Sequence, residues 1–141
     1  MRITFFSHND DFVLHDEEKI KLWLGSVVES NGKHLGRLSY VFCTDDVMIN
    51  YNRRFLNHDT YTDIITFDYT EADNVSGDII ISIDRVRENA ENFGVSFTDE
   101  LHRVLVHGVL HLLGQGDKND EDAAEMRRRE NIAINALDNI L

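Results

Sequence analysis

The amino-acid sequence predicts an α+β fold in which a sheet of about four strands packs with helices. Four short runs rich in β-branched and aromatic residues are typical of strands. Apolar residues at helical spacing fill most of the segments before, between and after these runs. The chain of 141 residues has the usual length of one domain and contains no repeat or low-complexity linker. We therefore expect residues 1–141 to form a single α+β domain.

The predicted strands are the runs 1–6, 35–43, 62–69 and 78–83. Their Val, Ile, Thr and aromatic side chains favour an extended, pleated backbone. The segment Asn57-His58-Asp59 predicts a turn or loop before the third strand, because Asn and Asp accommodate turn conformations.

Five helices are predicted, at 16–30, 44–55, 85–93, 98–113 and 121–137. Thr44 can cap the second helix and Thr98 can open the fourth, because a hydroxyl oxygen accepts from the free N–H groups of a first turn. Either Asn119 or Asp120 can cap the fifth helix in the same way. Gly94 can end the third helix, since glycine readily adopts the left-handed conformation of a helix terminus.

Composition excludes several classes of protein. The 14 basic and 26 acidic residues give a net charge of −12, whereas an unspecific nucleic-acid coat needs a basic excess. An enzyme that acts on nucleic acid needs only a local basic groove and stays compatible with this charge. The single cysteine, Cys43, cannot form a disulfide within the chain, which favours a reducing, cytoplasmic setting. No apolar run approaches the roughly 20 residues of a membrane span.

The segment from His107 to Asp117, HGVLHLLGQGD, carries the strongest functional signal. Residues four apart stand on one helix face, so His107 and His111 can offer two imidazoles to one metal ion. Gly114 can reverse the chain at the helix end, and Asp117 can then turn back to give a third ligand. Two nitrogens and one oxygen suit a borderline divalent ion, above all zinc, with a fourth position for water.

Other interpretations of this segment remain open at this stage. A histidine pair in an apolar helix can also consist of buried, hydrogen-bonded core residues. The added glycine and carboxylate favour a metal site, because a structural pair has no need of them. Gly108 stands where an H-E-x-x-H zinc protease has its general-base Glu, which disfavours that type of proteolysis. The sequence assigns no catalytic group beyond the water that the metal would bind.

Three blocks of the sequence resemble the YbeY endoribonuclease family, and the resemblance covers nearly the whole chain. They are HGVLHLLG with a ligand three residues on, the strand TDIITFDY at 62–69, and Gly77-Asp78-Ile79 at the start of the next strand. The resemblance implies a zincin-like α+β fold with one zinc ion at the end of a core helix. It further implies single-strand-specific cleavage of RNA in ribosome maturation, chiefly at the 3′ end of 16S ribosomal RNA, and ribosome quality control. The implied partners are ribosomal RNA and the small ribosomal subunit.

The chain departs from the family pattern at three positions. Asp117 replaces the usual third histidine, a change that keeps a ligand but adds a negative charge. Leu56 replaces an arginine for which the resemblance implies phosphate binding, and Tyr61 replaces a proline. The phosphate contact is then either lost or made by Arg53 or Arg54, which could also be ordinary solvated charges of a helix.

Two further alternatives stay open from sequence alone. The chain could be a metal-dependent hydrolase of another substrate class, or a non-catalytic ribosome-associated protein with a structural zinc ion. A structural zinc normally has four protein ligands, and only three can be picked out here, which disfavours the last alternative. Asp78 could accept a hydrogen bond from a ligand histidine, as metal sites commonly require, or it could belong to a turn at the strand end.

Overall fold

A four-stranded sheet forms the centre of the molecule. Three of its strands are parallel, β1 (Ile3–His8), β2 (His34–Cys43) and β4 (Asn74–Ser82), while β3 (Ile64–Asp68) runs antiparallel to β4. The strand order is β1-β2-β4-β3. The structure, a computed structural model, describes residues 2–8, 12–57 and 62–140. Within these residues, β3 has a neighbour on one side only and forms an edge of the sheet.

The described part of the chain forms five helices around this sheet, as predicted. They are α1 (Glu17–Ser30), α2 (Asp45–Phe55), α3 (Ile83–Phe93), α4 (Phe97–Leu112) and α5 (Asp120–Leu137). The mixed α+β architecture confirms the fold class that the sequence predicts. The strand bounds differ from the predicted ones: β1 extends to residue 8, β3 is limited to Ile64–Asp68, and β4 already begins at residue 74. Residues 58–61, which include most of the predicted turn and Tyr61, lie outside the described part of the chain.

Side-chain caps explain where α2, α4 and α5 begin. Thr44 accepts a hydrogen bond from the Val47 N–H and caps α2, as predicted. Asn119 accepts from the Asp122 N–H, so Asn119 rather than Asp120 caps α5. The prediction that Thr98 opens α4 is wrong. Ser96 performs this role by accepting from the Asp99 N–H, and α4 therefore begins one residue earlier.

The larger core lies between the inner face of the sheet and the helices α1 and α4. Two buried hydrogen bonds cross this core. The indole N–H of Trp23 in α1 donates to the Ala133 carbonyl of α5 over 2.7 Å. The hydroxyl of Tyr40 in β2 donates to the Leu105 carbonyl of α4 over 2.8 Å. Because each buried polar group has a partner, these contacts tie α5 to α1 and α4 to the sheet.

A smaller cluster covers part of the outer face of the sheet. Its buried members include Val41 of β2, Met48 of α2, Ile65 of β3 and Ile80 of β4. The two clusters reflect the alternation of side chains along a strand, since Ile79 and Ile81 belong to the larger core and Ile80 to the smaller one. None of the described helices is long and apolar enough to cross a membrane.

Candidate metal centre

The end of α4 brings two histidines and one aspartate together. His107 and His111 are four residues apart, and their ring centroids lie 4.5 Å apart in a T-shaped arrangement. Gly114 then adopts a left-handed φ of 97°. Its N–H donates to the His111 carbonyl, and the Gln115 N–H donates to the Leu110 carbonyl, each over 2.9 Å. This pair of bonds forms a Schellman turn, which ends the helix and directs the chain back past the histidines.

The carboxylate of Asp117 lies at equal distances from the two rings. Its Oδ2 atom is 3.4 Å from Nε2 of His107 and 3.4 Å from Nε2 of His111. Such separations are long for hydrogen bonds. They match two ligand atoms that each lie about 2.0–2.1 Å from one tetrahedral ion, whose ligands are about 3.3 Å apart. The donor set and its spacing therefore suit a metal ion, and this group can hold one.

A buried carboxylate on α5 orients His107. Oε2 of Glu130 lies 2.6 Å from Nδ1 of His107, and Oε1 accepts from the Arg103 guanidinium over 2.8 Å. With Nδ1 as the donor to Glu130, the lone pair of His107 is on Nε2, the atom that faces Asp117. A hydrogen bond of this kind fixes the tautomer of a ligand histidine.

Burial and the surrounding charges shift the pKa values of the two histidines in opposite directions. Burial lowers the pKa of His107, but the carboxylates of Glu130, Asp117 and Asp63 outweigh it, and the net pKa is raised. Burial and the charge of His107 lower the pKa of His111. Burial opposes ionisation of Glu130, yet its bonds with His107 and Arg103 hold its pKa below the usual range. The group therefore keeps an ionised carboxylate directly behind His107.

Comparison with known proteins identifies the family. The family model described as Endoribonuclease YbeY matches residues 5–138. The chain belongs to the YbeY endoribonuclease family. The Endoribonuclease YbeY of Flavobacterium johnsoniae is 47% identical over 129 residues, which cover 92% of this chain and 93% of the relative. That of Porphyromonas gingivalis strain W83 is 50% identical over 133 residues and covers 94% and 88% of the two chains.

A solved structure confirms the architecture. The solution structure of TM1509 from Thermotoga maritima superposes with a TM-score of 0.69 at 26% sequence identity. The match covers 96% of this chain and 88% of the TM1509 chain. The likeness to this structure therefore extends over nearly the whole fold.

In this YbeY-family chain, the carboxylate that accepts from a ligand histidine is not the one that the sequence suggested. Asp78 shares the outer-face orientation of Ile80 and lines a groove on that face together with Tyr69. The hypothesis that Asp78 supports a histidine is therefore wrong, because α4 packs on the inner face. Glu130 has that position instead. The missed signal is its place in the buried stripe of α5, between Met126 and Ala133.

The glycine that follows the first histidine has a packing role in this member of the family. A Cβ atom at Gly108 would lie 3.0 Å from Cδ1 and Cγ2 of Ile79 and 3.1 Å from Cδ1 of Ile64. These distances are shorter than ordinary van der Waals contacts, so α4 can approach the sheet closely only because position 108 has no side chain. A general-base Glu at this position would meet the two isoleucines of the sheet.

The structure places the predicted RNA-contacting residues on a different layer from the histidines. Arg53 and Arg54 belong to the last turn of α2, and α2 packs on the outer face of the sheet. Both side chains are exposed, and the Arg54 guanidinium lies 5.6 Å from the ring centroid of Phe55. Leu56, which replaces the arginine usual in the YbeY family, is the C-cap of α2 and is also exposed. These residues and the histidines are therefore on opposite sides of the sheet.

Proposed function

We propose that this chain is a zinc-dependent, single-strand-specific endoribonuclease that processes the 3′ end of 16S ribosomal RNA and supports ribosome quality control. Membership of the YbeY family makes it an endoribonuclease of ribosomal RNA maturation, a hydrolase that cleaves RNA phosphodiester bonds. The small ribosomal subunit as partner and the cytoplasm as location belong to the same proposal. The observation that carries it is the distance of 3.4 Å from one Asp117 oxygen to both histidine Nε2 atoms.

His107, His111 and Asp117 would hold the zinc ion. Two imidazole nitrogens and a carboxylate oxygen are typical zinc ligands, and three protein ligands leave a fourth position open for water or substrate. Within the described residues, no fourth His, Cys, Asp or Glu joins this group, in contrast to a closed structural site. Zinc bound in this way supplies a Lewis acid for a phosphoryl oxygen and lowers the pKa of bound water.

The protein's own residues prepare this site before RNA binds. Glu130 holds His107 in the tautomer that directs its Nε2 lone pair toward the ligand group. Arg103 balances the charge of Glu130, which is almost fully buried. Both histidines are partly shielded from water, and the reduced screening strengthens their interaction with a bound cation. The site thus needs little rearrangement when it takes up metal.

Binding of RNA by a chain with net charge −12 requires local positive charge. We assign this role to Arg53 and Arg54, which end α2 in exposed positions. One or two positioned guanidinium groups are sufficient to hold a phosphate. The acidic remainder of the surface would disfavour unspecific adsorption of nucleic acid, so binding would depend on this small patch.

Cleavage of a ribosomal RNA 3′-end precursor by purified protein tests the proposed function. The zinc-loaded protein should cleave single-stranded substrate, a chelator should abolish cleavage, and added zinc should restore it. His111→Ala should remove both zinc and activity. His34→Ala is the matched control, because His34 is exposed on β2 and outside the ligand group. Cleavage that survives the chelator and His111→Ala would disprove the zinc-dependent mechanism.

A further inference from the structure

A groove with a volume of about 820 Å³ crosses the outer face of the sheet. Five aromatic rings from three parts of the chain line it, and we call it the aromatic groove. These rings are Phe6 of β1, Tyr51 and Phe55 of α2, Phe67 of β3, and Tyr69 just after β3. The groove lies on the opposite face of the sheet from α4, so it is separate from the His107–Asp117 group.

Several of these rings are unusually exposed. Phe6 is 56% exposed, Phe55 54% and Tyr69 58%. Phe67 packs edge-on against Phe55, with 5.6 Å between ring centroids, and this contact supports one wall of the groove. Single exposed aromatic residues are common, but three around one concave surface indicate a binding site.

Polar and charged groups accompany the rings. Asp78 and Tyr69 line the groove together. The guanidinium of Arg54 lies against Phe55 at one side. Arg37 lines a smaller groove that shares Ser39, Tyr69 and Asp78 with the aromatic groove. The aromatic rings offer stacking surfaces, the carboxylate offers an acceptor for N–H donors, and the guanidinium groups beside them can contact phosphates.

From this combination we infer that the aromatic groove binds unpaired bases of the RNA substrate. This inference rests on the proposed function and explains how the enzyme selects single-stranded RNA. Proteins recognise single-stranded RNA by stacking its bases on aromatic side chains and by hydrogen bonds to the exposed base edges. The Asp78 carboxylate can accept from the Watson–Crick N–H groups of an unpaired base, and a duplex cannot offer these groups because they are engaged in base pairing.

The edge strand β3 connects the aromatic groove with the metal centre. Ile64 of β3 contacts the α4 side of the sheet beside Gly108, whereas Phe67 packs with the outer-face cluster. From Ile64 to Tyr69 the chain advances five residues, or roughly 16 Å of extended backbone. No other described strand covers the free edge of β3. An RNA strand can therefore pass around this edge, with a phosphate at the metal centre and bases a few nucleotides away in the groove.

Binding of a fluorescently labelled, unstructured RNA of about 12 nucleotides, within the length range of single-strand sites, tests this inference on the zinc-loaded protein. The double variant Phe6→Ala/Tyr69→Leu should weaken binding about 10-fold or more, because it removes two stacking surfaces. Tyr69→Phe keeps the ring and should bind within about twofold of wild type, since stacking does not need the hydroxyl. The control is Leu22→Ala/Phe93→Ala, which removes two large side chains that are 66% and 62% exposed elsewhere on the surface.

Two further readouts separate this inference from the proposed function. Zinc content and cleavage of a dinucleotide should be unchanged in Phe6→Ala/Tyr69→Leu, because a dinucleotide at the metal centre is too short to reach the groove. Ultraviolet crosslinking of the wild-type protein to the 12-nucleotide RNA should modify Phe6, Phe55 or Tyr69. If the wild type cleaves RNA but binds it no better than the double variant, or crosslinks only elsewhere, the groove assignment is wrong. Failure of the wild type to cleave any RNA would instead disprove the proposed function and, with it, this inference.

Discussion

The carboxylate of Glu130 lies 2.6 Å from Nδ1 of His107, although the two residues belong to different helices and are 23 positions apart. Glu130 also binds the Arg103 guanidinium and is almost completely buried. It therefore links the end of α4 to α5 and determines which nitrogen of His107 faces Asp117. The orientation of one candidate ligand therefore depends on a residue of a different helix.

Replacement of Glu130 by Gln should weaken zinc binding about 10- to 100-fold, since loss of a carboxylate behind a ligand histidine typically has that effect. The measurement is a zinc titration against a competing chelator. Glu125→Gln is the matched control, because Glu125 lies on the same helix and pairs at the surface with Arg128. Equal zinc affinity in Glu130→Gln and wild type would contradict the orienting role of Glu130.

Replacement of Gly108 by Ala should destabilise the protein by about 1 kcal/mol, because an overpacking cost of about 1–3 kcal/mol is offset in part by a gain of about 1 kcal/mol in helix propensity. The control is Gly25→Ala in α1, where the added Cβ would lie 3.7 Å from Leu35. That substitution should stabilise by about 0.5–1 kcal/mol. Urea unfolding of the zinc-free proteins compares the two, and stabilisation by both substitutions would refute the packing explanation.

Replacement of Asp117 by His should preserve one bound zinc per chain and increase the rate of RNA cleavage. A neutral third ligand leaves more positive charge on the ion, which strengthens its action as a Lewis acid. Asp117→Ala should lower zinc affinity, since it removes one of three ligands. Elemental analysis and cleavage rates check both variants. Full zinc occupancy of Asp117→Ala in the presence of a weak chelator would show that Asp117 is not a ligand.

Neutralisation of Arg53 and Arg54 should weaken RNA binding and flatten its salt dependence. Loss of two phosphate contacts on a single strand lowers the slope of log K against log salt by about 1.4. Arg53→Gln/Arg54→Gln should keep its zinc, because α2 and the ligand group lie on different faces of the sheet. The control Arg87→Gln/Arg128→Gln removes the same charge at residues paired with Asp84 and Glu125. Equal salt slopes in the two double variants would show that other residues hold the phosphates.

Local hydrogen bonds explain which features could be predicted. Thr44 and Asn119 cap their helices through N–H groups three residues away, and Gly94 and Gly114 end theirs through their own left-handed conformation. The candidate ligand group is equally local. His107 and His111 share a helix face, and the turn at Gly114 brings Asp117 back within the same short segment.

The sequence by itself therefore determined the fold class, the cap of α2, the glycine ends of α3 and α4, and the grouping of the three candidate ligands, since each depends on residues that are neighbours along the chain. The tertiary structure alone decided that Glu130 supports His107 and that Asp78 faces the aromatic groove. These relationships depend on how α5 packs against α4 and on which face of β4 meets the core. Packing between distant elements is set by the combined shape and burial of many side chains, so no short pattern in the sequence records it.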